Sequence, residues 1–166
     1  MVTTSNMVIS SEQSSVDDIQ IRQAVLSDLE SIAFLFDAYR QFYGRSSDIT
    51  GARVFLLERF NHGESVIFIA FLGADPVGFT QLYPSFSSVS LARIFILNDL
   101  FVSPDVRKKG VAKKLMHAAS EFAKSLGAVR MSLSTSVSNQ TAQALYESIG
   151  WEKDEQFYHY HFATTP

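Results

Sequence analysis

Arg107, Lys108, Lys109, Lys113 and Lys114 place five of the chain's fourteen basic residues within eight positions, around a glycine at 110. The stretch from Val102 to Ala112 joins a strand-like pattern to a helical one. At such a junction main-chain N–H groups point out of the helix N-terminus, and the helix dipole adds partial positive charge, which favours a phosphate. Gly110 lets a ligand approach the backbone closely, and Ala112 keeps the next position small. Two readings stand from these residues alone: a solvated basic helix start with an ordinary turn glycine, or an anion site. Basic side chains in a first helical turn oppose the dipole, so helix stability does not account for Lys108 and Lys109, whereas an anionic ligand does. The G-x-x-x-x-G-K-S/T phosphate loop and the G-x-G-x-x-G dinucleotide fingerprint are both absent.

Composition narrows the other chemistries. There is no cysteine, hence no disulfide, thiol nucleophile or thiolate metal site. Of the four histidines only His159 and His161 are close, and i, i+2 spacing in a strand puts them on one face. No third ligand accompanies them, so a surface pair is expected and no metal. A net charge of −3 argues against a broad nucleic-acid surface. No apolar run approaches the roughly 18 residues of a membrane span, and no signal-peptide pattern opens the chain. A cytoplasmic location without membrane attachment is expected.

Length and pattern predict a Ser/Thr-rich flexible tail over 1–17 and a single domain over 18–166. Ile19–Arg22 alternates as a first strand. Ser27 or Asp28 caps a helix whose apolar positions run from Leu29 to Tyr43, ended by Gly44. A shorter helix follows over Ala52–Phe60. Val66–Leu72 and Val77–Tyr83 read as a hairpin across Gly73–Pro76, Pro84–Ser90 as a serine-rich loop, and Ala92–Val102 as a long strand. Gly110 opens a helix ended by Gly127. Met131–Thr135 is a strand, Asn139 begins a helix stopped by Gly150, and Trp151 and Phe157–Phe162 read as closing strands. The fold class is mixed α/β, in the order β-α-α-β-β-β-α-β-α-β-β.

Three pieces of sequence carry a resemblance. Arg107-Lys108-Lys109-Gly110-Val111-Ala112 resembles the R/Q-x-x-G-x-G/A motif of the GNAT N-acetyltransferases. Asn98 to Pro104 resembles the fourth-strand signature of that family. Asn139 to Trp151 is similar to its N-x-x-A-x-x-L-Y-x-x-x-G-F/W ending, and the pieces occur in family order and spacing. Many members carry glycine where Lys108 and Ala112 stand. The resemblance implies a sheet that splays between its fourth and fifth strands to admit acetyl-CoA. The pantetheine arm would pair with the backbone of Leu100, Phe101 and Val102 like an added strand. The backbone of Lys108, Lys109, Gly110, Val111 and Ala112 would hold the pyrophosphate, Arg107 and its lysine neighbours would offset the charge, and Asn139 and Ala142 would flank the arm.

The implied reaction moves acetyl to a primary amine by direct attack in a ternary complex. It needs a neutral amine, a stabilised oxyanion and a proton for the departing thiolate. On the resemblance Tyr146 supplies that proton. In the polyamine branch a Glu matches Asn98 and an Asp matches Asp99. Asn98 cannot take a proton at neutral pH, and Asp99 is either a base acting through water or structural. A bulge in this strand would change which side chain faces the acceptor. The first helix helps form the acceptor site, with Tyr39 and Tyr43 offering an aromatic wall suited to a cationic amine. The expected acceptor is a small molecule: a polyamine, an amino acid or similar. The alternatives are a protein or peptide N-acetyltransferase and a non-catalytic acyl-CoA sensor. The aromatic alternation Gln156–Phe162 suggests a homodimer interface.

Overall fold

The computed structural model describes residues 18–164; the tail expected over 1–17 lies outside them. The chain forms two compact units, one ending at Leu133 and the other beginning at Ser134.

The first unit opens with β1 (Ile19–Gln23), then α1 (Leu29–Phe42), α2 (Ile49–His62), β2 (Val66–Leu72), β3 (Asp75–Ser87), β4 (Ala92–Val102), α3 (Val111–Ser125) and β5 (Arg130–Ser132). The strands form one sheet in the order β1-β2-β3-β4-β5, antiparallel through β4 and parallel between β4 and β5. Alternation sorts their side chains onto two faces. Ile67, Ile69, Phe79 and Phe101 pack with Ile32, Ala33, Phe36 and Leu56 of α1 and α2. On the other face Phe68 and Phe95 meet the Phe122 ring of α3 at 5.7 Å each.

Local signals placed most of these elements, with instructive differences. Asp28 stands at the α1 N-cap without capping the helix through its side chain. Its carboxylate instead accepts from the Val25 N–H and both terminal nitrogens of Arg22, tying β1 to the helix start. α2 begins earlier than its apolar pattern, because Asp48 accepts from the Gly51 N–H and caps it. β3 runs on through Pro84, into the expected loop, because β4 supplies ladder partners as far as Ser87. β2 stops pairing at Leu82, so the missing N–H of Pro84 falls on a free edge.

Gly78 marks a close approach of two strands. A Cβ there would stand 2.7 Å from the Phe101 carbonyl oxygen and 3.4 Å from Leu115 of α3. Gly78→Ala is expected to cost about 1–3 kcal/mol through overpacking, read as a lower melting temperature by circular dichroism. An unchanged melting temperature would contradict the contact.

The second unit contains α4 (Gln140–Ser148), stopped by Gly150 in a left-handed conformation (φ 87°). The closing strands expected at Trp151 and Phe157–Phe162 are not formed: 151–164 carries no strand, and Phe157, Tyr158, Tyr160 and Phe162 are exposed. Aromatic alternation gives a segment the tendency to extend, but a strand exists only where a partner edge accepts its ladder bonds. The same reason shortens β5, which ends at Ser132 rather than Thr135.

Candidate active site

The register of β4 against β3 breaks at one residue. Gln81 pairs with Asp99 and Leu82 with Leu97, leaving Asn98 as the extra residue of a bulge. Gln81 and Leu82 are adjacent, so they face opposite sides of the sheet, and their partners do too. Leu97 therefore stays on the α3 face with Phe95, while Asp99 and Phe101 turn to the α1/α2 face. Without the bulge, positions 95, 97, 99 and 101 would share one face.

Asp99 is only 4% exposed. Its Oδ2 accepts from Gln81 Nε2 at 2.8 Å, its Oδ1 accepts from Asn98 Nδ2 at 3.1 Å, and the Tyr39 hydroxyl also donates to it. All three donors are neutral. A carboxylate has about four lone-pair sites, so one remains for a water or an amine. Burial pushes the carboxyl above its ordinary value, and the three donors only partly oppose that. Behind it, fully buried Gln81 also donates to the Tyr83 hydroxyl at 3.0 Å and accepts from Ser65 Oγ at 2.8 Å. Burial and the nearby Asp99 charge push the Tyr83 phenol up to about 12. Tyr83 is thus a neutral acceptor for Gln81.

Around this carboxylate stands an aromatic wall. The Tyr39 ring meets Phe79 at 6.0 Å, Phe101 at 6.5 Å and Tyr43 at 5.1 Å, and Tyr43 meets Phe42 at 5.3 Å. Phe42 and Tyr43 are more than half exposed, so the wall runs from solvent inward to Asp99. Asp37, two residues before Tyr39, is buried but structural. Burial pushes its carboxyl up, yet the Asp48 N–H, Ser47, Gln41 and Arg40 outweigh that and hold it below its ordinary value.

The expected cofactor loop lies beyond the C-terminal end of β4. Lys108 and Gly110 both have positive φ (62° and 78°), which turns the chain sharply into α3. Gly110 is the N-cap and offers no side-chain cap to the α3 amides, and a Cβ there would meet nothing within 4 Å. Arg107, Lys108 and Lys109 are exposed; Val111 is buried and anchors the helix start. Among the described residues β4 pairs with β5 only at Ile94–Ile96, so Leu97 to Val102 pair with β3 alone. An uncapped helix start with basic neighbours beside an unpaired strand edge fits a pyrophosphate joined to an extended amide-bearing arm. Phe101 contributes main chain there, since its side chain is core. Arg107 departs from the expected orientation: its Nε donates to the Val102 carbonyl at 3.0 Å, and its guanidinium lies over the rings of Phe42 and Phe101.

In the second unit, Asn139 caps α4 by accepting from the Ala142 N–H at 3.2 Å. This gives the motif's Asn and Ala a local structural tie. Tyr146 is half-buried, and its ring meets Trp151 at 6.4 Å.

Sequence reasoning missed Gln81, Tyr83 and Ser65. The available signal was weak: polar Thr80-Gln81 within the apolar run Val77–Leu82. Within the described residues no group of three His, Asp or Glu is arranged to hold a metal, and no helix is long and apolar enough to cross a membrane.

The model of the acetyltransferase (GNAT) family matches residues 32–151. An uncharacterised N-acetyltransferase of Bacillus subtilis is 50% identical over 142 residues, covering 86% of this chain and 95% of that protein. The thialysine N-epsilon-acetyltransferase of Caenorhabditis elegans is 31% identical over 84 residues, 51% of this chain and 52% of that enzyme. A crystal structure of a probable acetyltransferase superposes with a TM-score of 0.84 at 44% identity, covering 89% of this chain and 99% of that one.

Proposed function

From the premise that this chain belongs to the GNAT acetyltransferase family, and is an acetyl-transfer enzyme using acetyl-CoA, we propose that it acetylates the primary amine of a small molecule such as a polyamine or an amino acid. The observation that carries this reading is Asp99: a buried carboxylate with neutral donors only, at the inner end of an aromatic wall. An amine arrives mostly as ammonium and must lose a proton before it attacks. Asp99 takes that proton, directly or through one water, at the lone pair its donors leave open. Gln81 and Tyr39 hold the carboxylate in orientation. Acetyl-CoA supplies the acetyl group and a thiolate leaving group. A main-chain N–H of Leu100 or Phe101 donates to the developing oxyanion; as the intermediate collapses, the Tyr146 hydroxyl gives its proton to the departing sulfur, and the proton shed by the nitrogen that becomes the amide restores the phenol.

The role of Tyr146 rests on the Asn139–Trp151 motif. Tyr146→Phe is expected to lower turnover roughly 10–100-fold with acetyl-CoA affinity nearly intact. Equal turnover by the variant would remove it from the mechanism.

Thermal shift with acetyl-CoA, followed by CoA release against polyamines, amino acids and peptides, tests the whole reading. We expect a raised melting temperature and release with small amines. Release with peptides alone would transfer the activity to protein substrates, and stabilisation without release from any acceptor would favour a sensor. The exposed aromatics Phe157–Phe162 and the absence of a strand there support a homodimer in which this segment pairs across copies. Light scattering at micromolar concentration should give twice the 18.5 kDa chain mass; a monomer mass would oppose it. The cytoplasm is the compartment this reading assumes, since acetyl-CoA must be supplied there.

A further inference from the structure

β3 carries two adjacent polar residues, Thr80 and Gln81, at 0% exposure, flanked by Phe79 and Leu82 that are equally buried. A buried hydroxyl and a buried amide cost free energy unless they are hydrogen-bonded. Apolar residues like their neighbours would fill the strand without that demand, so the pair is explained by what it binds.

Both residues bind Asp99. Thr80 is paired across the ladder with Leu100, yet its Oγ1 reaches one residue back along β4 and donates to the Asp99 main-chain carbonyl at 2.9 Å. Gln81 Nε2 donates to the Asp99 carboxylate at 2.8 Å. Adjacent residues of a strand face opposite sides of the sheet. Asp99 is therefore gripped from both faces, by its main chain from the α3 side and by its side chain from the α1/α2 side. The grip falls beside the bulge at Asn98, where a one-residue slip of register would return the carboxylate to the α3 side. The Thr80 bond resists that slip at the backbone, and the Gln81 bond holds the carboxylate where the register puts it.

Gln81 is itself held. Its Oε1 accepts from Ser65 Oγ at 2.8 Å, and Nε2 also donates to the Tyr83 hydroxyl at 3.0 Å. The groups that face the carboxylate are all neutral: Tyr39 from α1, Gln81 from β3 and Asn98 beside it on β4. Of these three donors Gln81 opposes the effect of burial most. Tyr83 keeps its proton, and Arg59 and Glu64, whose charges act on Tyr83, pair with each other at 2.6 Å.

We propose that Thr80 and Gln81 are a pair of positioning residues for acetyl transfer, Thr80 fixing the backbone of the base at the bulge and Gln81 holding its carboxylate ready to take the amine's proton. This rests on the reading of Asp99 as the proton acceptor.

The test compares Thr80→Val, Thr80→Ser and Gln81→Met, each with Asp99 present and in the Asp99→Asn background. CoA release with lysine and putrescine gives kcat/KM across pH, and circular dichroism reads the fold. Thr80→Val should lower kcat/KM roughly tenfold, and Thr80→Ser, which keeps the hydroxyl, by less than about threefold. Loss of the Gln81 donor disfavours the charged carboxylate. Gln81→Met should therefore move the acid limb of kcat/KM, the limb that Asp99→Asn lacks, upward by about one to two pH units. In the Asp99→Asn background both Thr80→Val and Gln81→Met should leave the residual rate within about twofold, since they act only through Asp99. Either residue decides the matter by itself should a variant of the other fail to fold. An acid limb that Gln81→Met leaves in place, or a Thr80→Val loss of the same size in the Asp99→Asn background, would make the pair purely structural and overturn the proposal while Asp99 keeps its role. Full turnover by Asp99→Asn itself would remove the base, and the proposal with it.

Discussion

Asp99→Asn should abolish most turnover, by roughly 10²–10⁴-fold, and at the same time make the protein more stable once pH exceeds the raised folded pKa of that carboxyl. The loss follows from removing the carboxylate proposed to take the amine's proton, the one buried against the aromatic wall among the described residues. The gain follows from linkage. Burial raises the Asp99 carboxyl in the folded chain above its unfolded value. A group raised in this way contributes its stability below the unfolded pKa and loses it as pH rises through the folded pKa. Above that value the fold carries a desolvated charge met only by neutral donors, and the asparagine variant does not. Rotation of the exposed Asn98 amide lets it accept from the new amide, so the hydrogen-bond count is kept. The melting-temperature gap between variant and wild type should open as pH rises through that window and close toward acid, by roughly 2–4 °C for each kcal/mol recovered. Wild-type kcat/KM should fall on its acid side as Asp99 protonates, and the variant should lack that limb. A variant with full turnover, or one with the same acid limb, would leave Asp99 a structural group.

Gly110→Asp should weaken acetyl-CoA binding on the order of 100-fold without unfolding the protein. Gly110 has φ 78°, a conformation that aspartate tolerates better than most side chains. Nothing lies within 4 Å of a Cβ there, so the cost is not steric. A carboxylate at the start of α3 is welcomed by the helix dipole, which protects the fold. It also occupies the place proposed for the pyrophosphate, and like charges at close range cost on the order of several kcal/mol. Isothermal titration with acetyl-CoA reads the affinity, and circular dichroism reads the fold. Binding within threefold of wild type, with the fold intact, would move the pyrophosphate away from this loop.

Several features were legible in the sequence because they are set within a few residues. The Arg107–Ala112 loop, the apolar stripes of α1 and α3, and the Asn139 cap depend on local spacing, so the reaction class could be read directly and the loop proposed for the cofactor could be located. The closing strands at Trp151 and Phe157–Phe162 could not, because alternation states a tendency and ladder partners decide the outcome. Pro84 reads as a strand breaker until the end of β2 frees the edge on which its missing N–H falls.

The sequence by itself determined that β4 holds Asn98 and Asp99 shortly before the basic Arg107–Ala112 loop, and that one is an amide and the other a carboxyl. Only the tertiary structure decided which face each serves. In a strand the side-chain period is two residues, so one extra residue exchanges the faces of everything beyond it. That extra residue, Asn98, is fixed by where β3 pairs across the sheet, from Gln81 on Asp99 to Leu82 on Leu97. The carboxylate thereby leaves the α3 side and enters the aromatic wall of α1, a placement set by contacts between residues about 15 to 60 positions apart in the chain, beyond the reach of any local pattern.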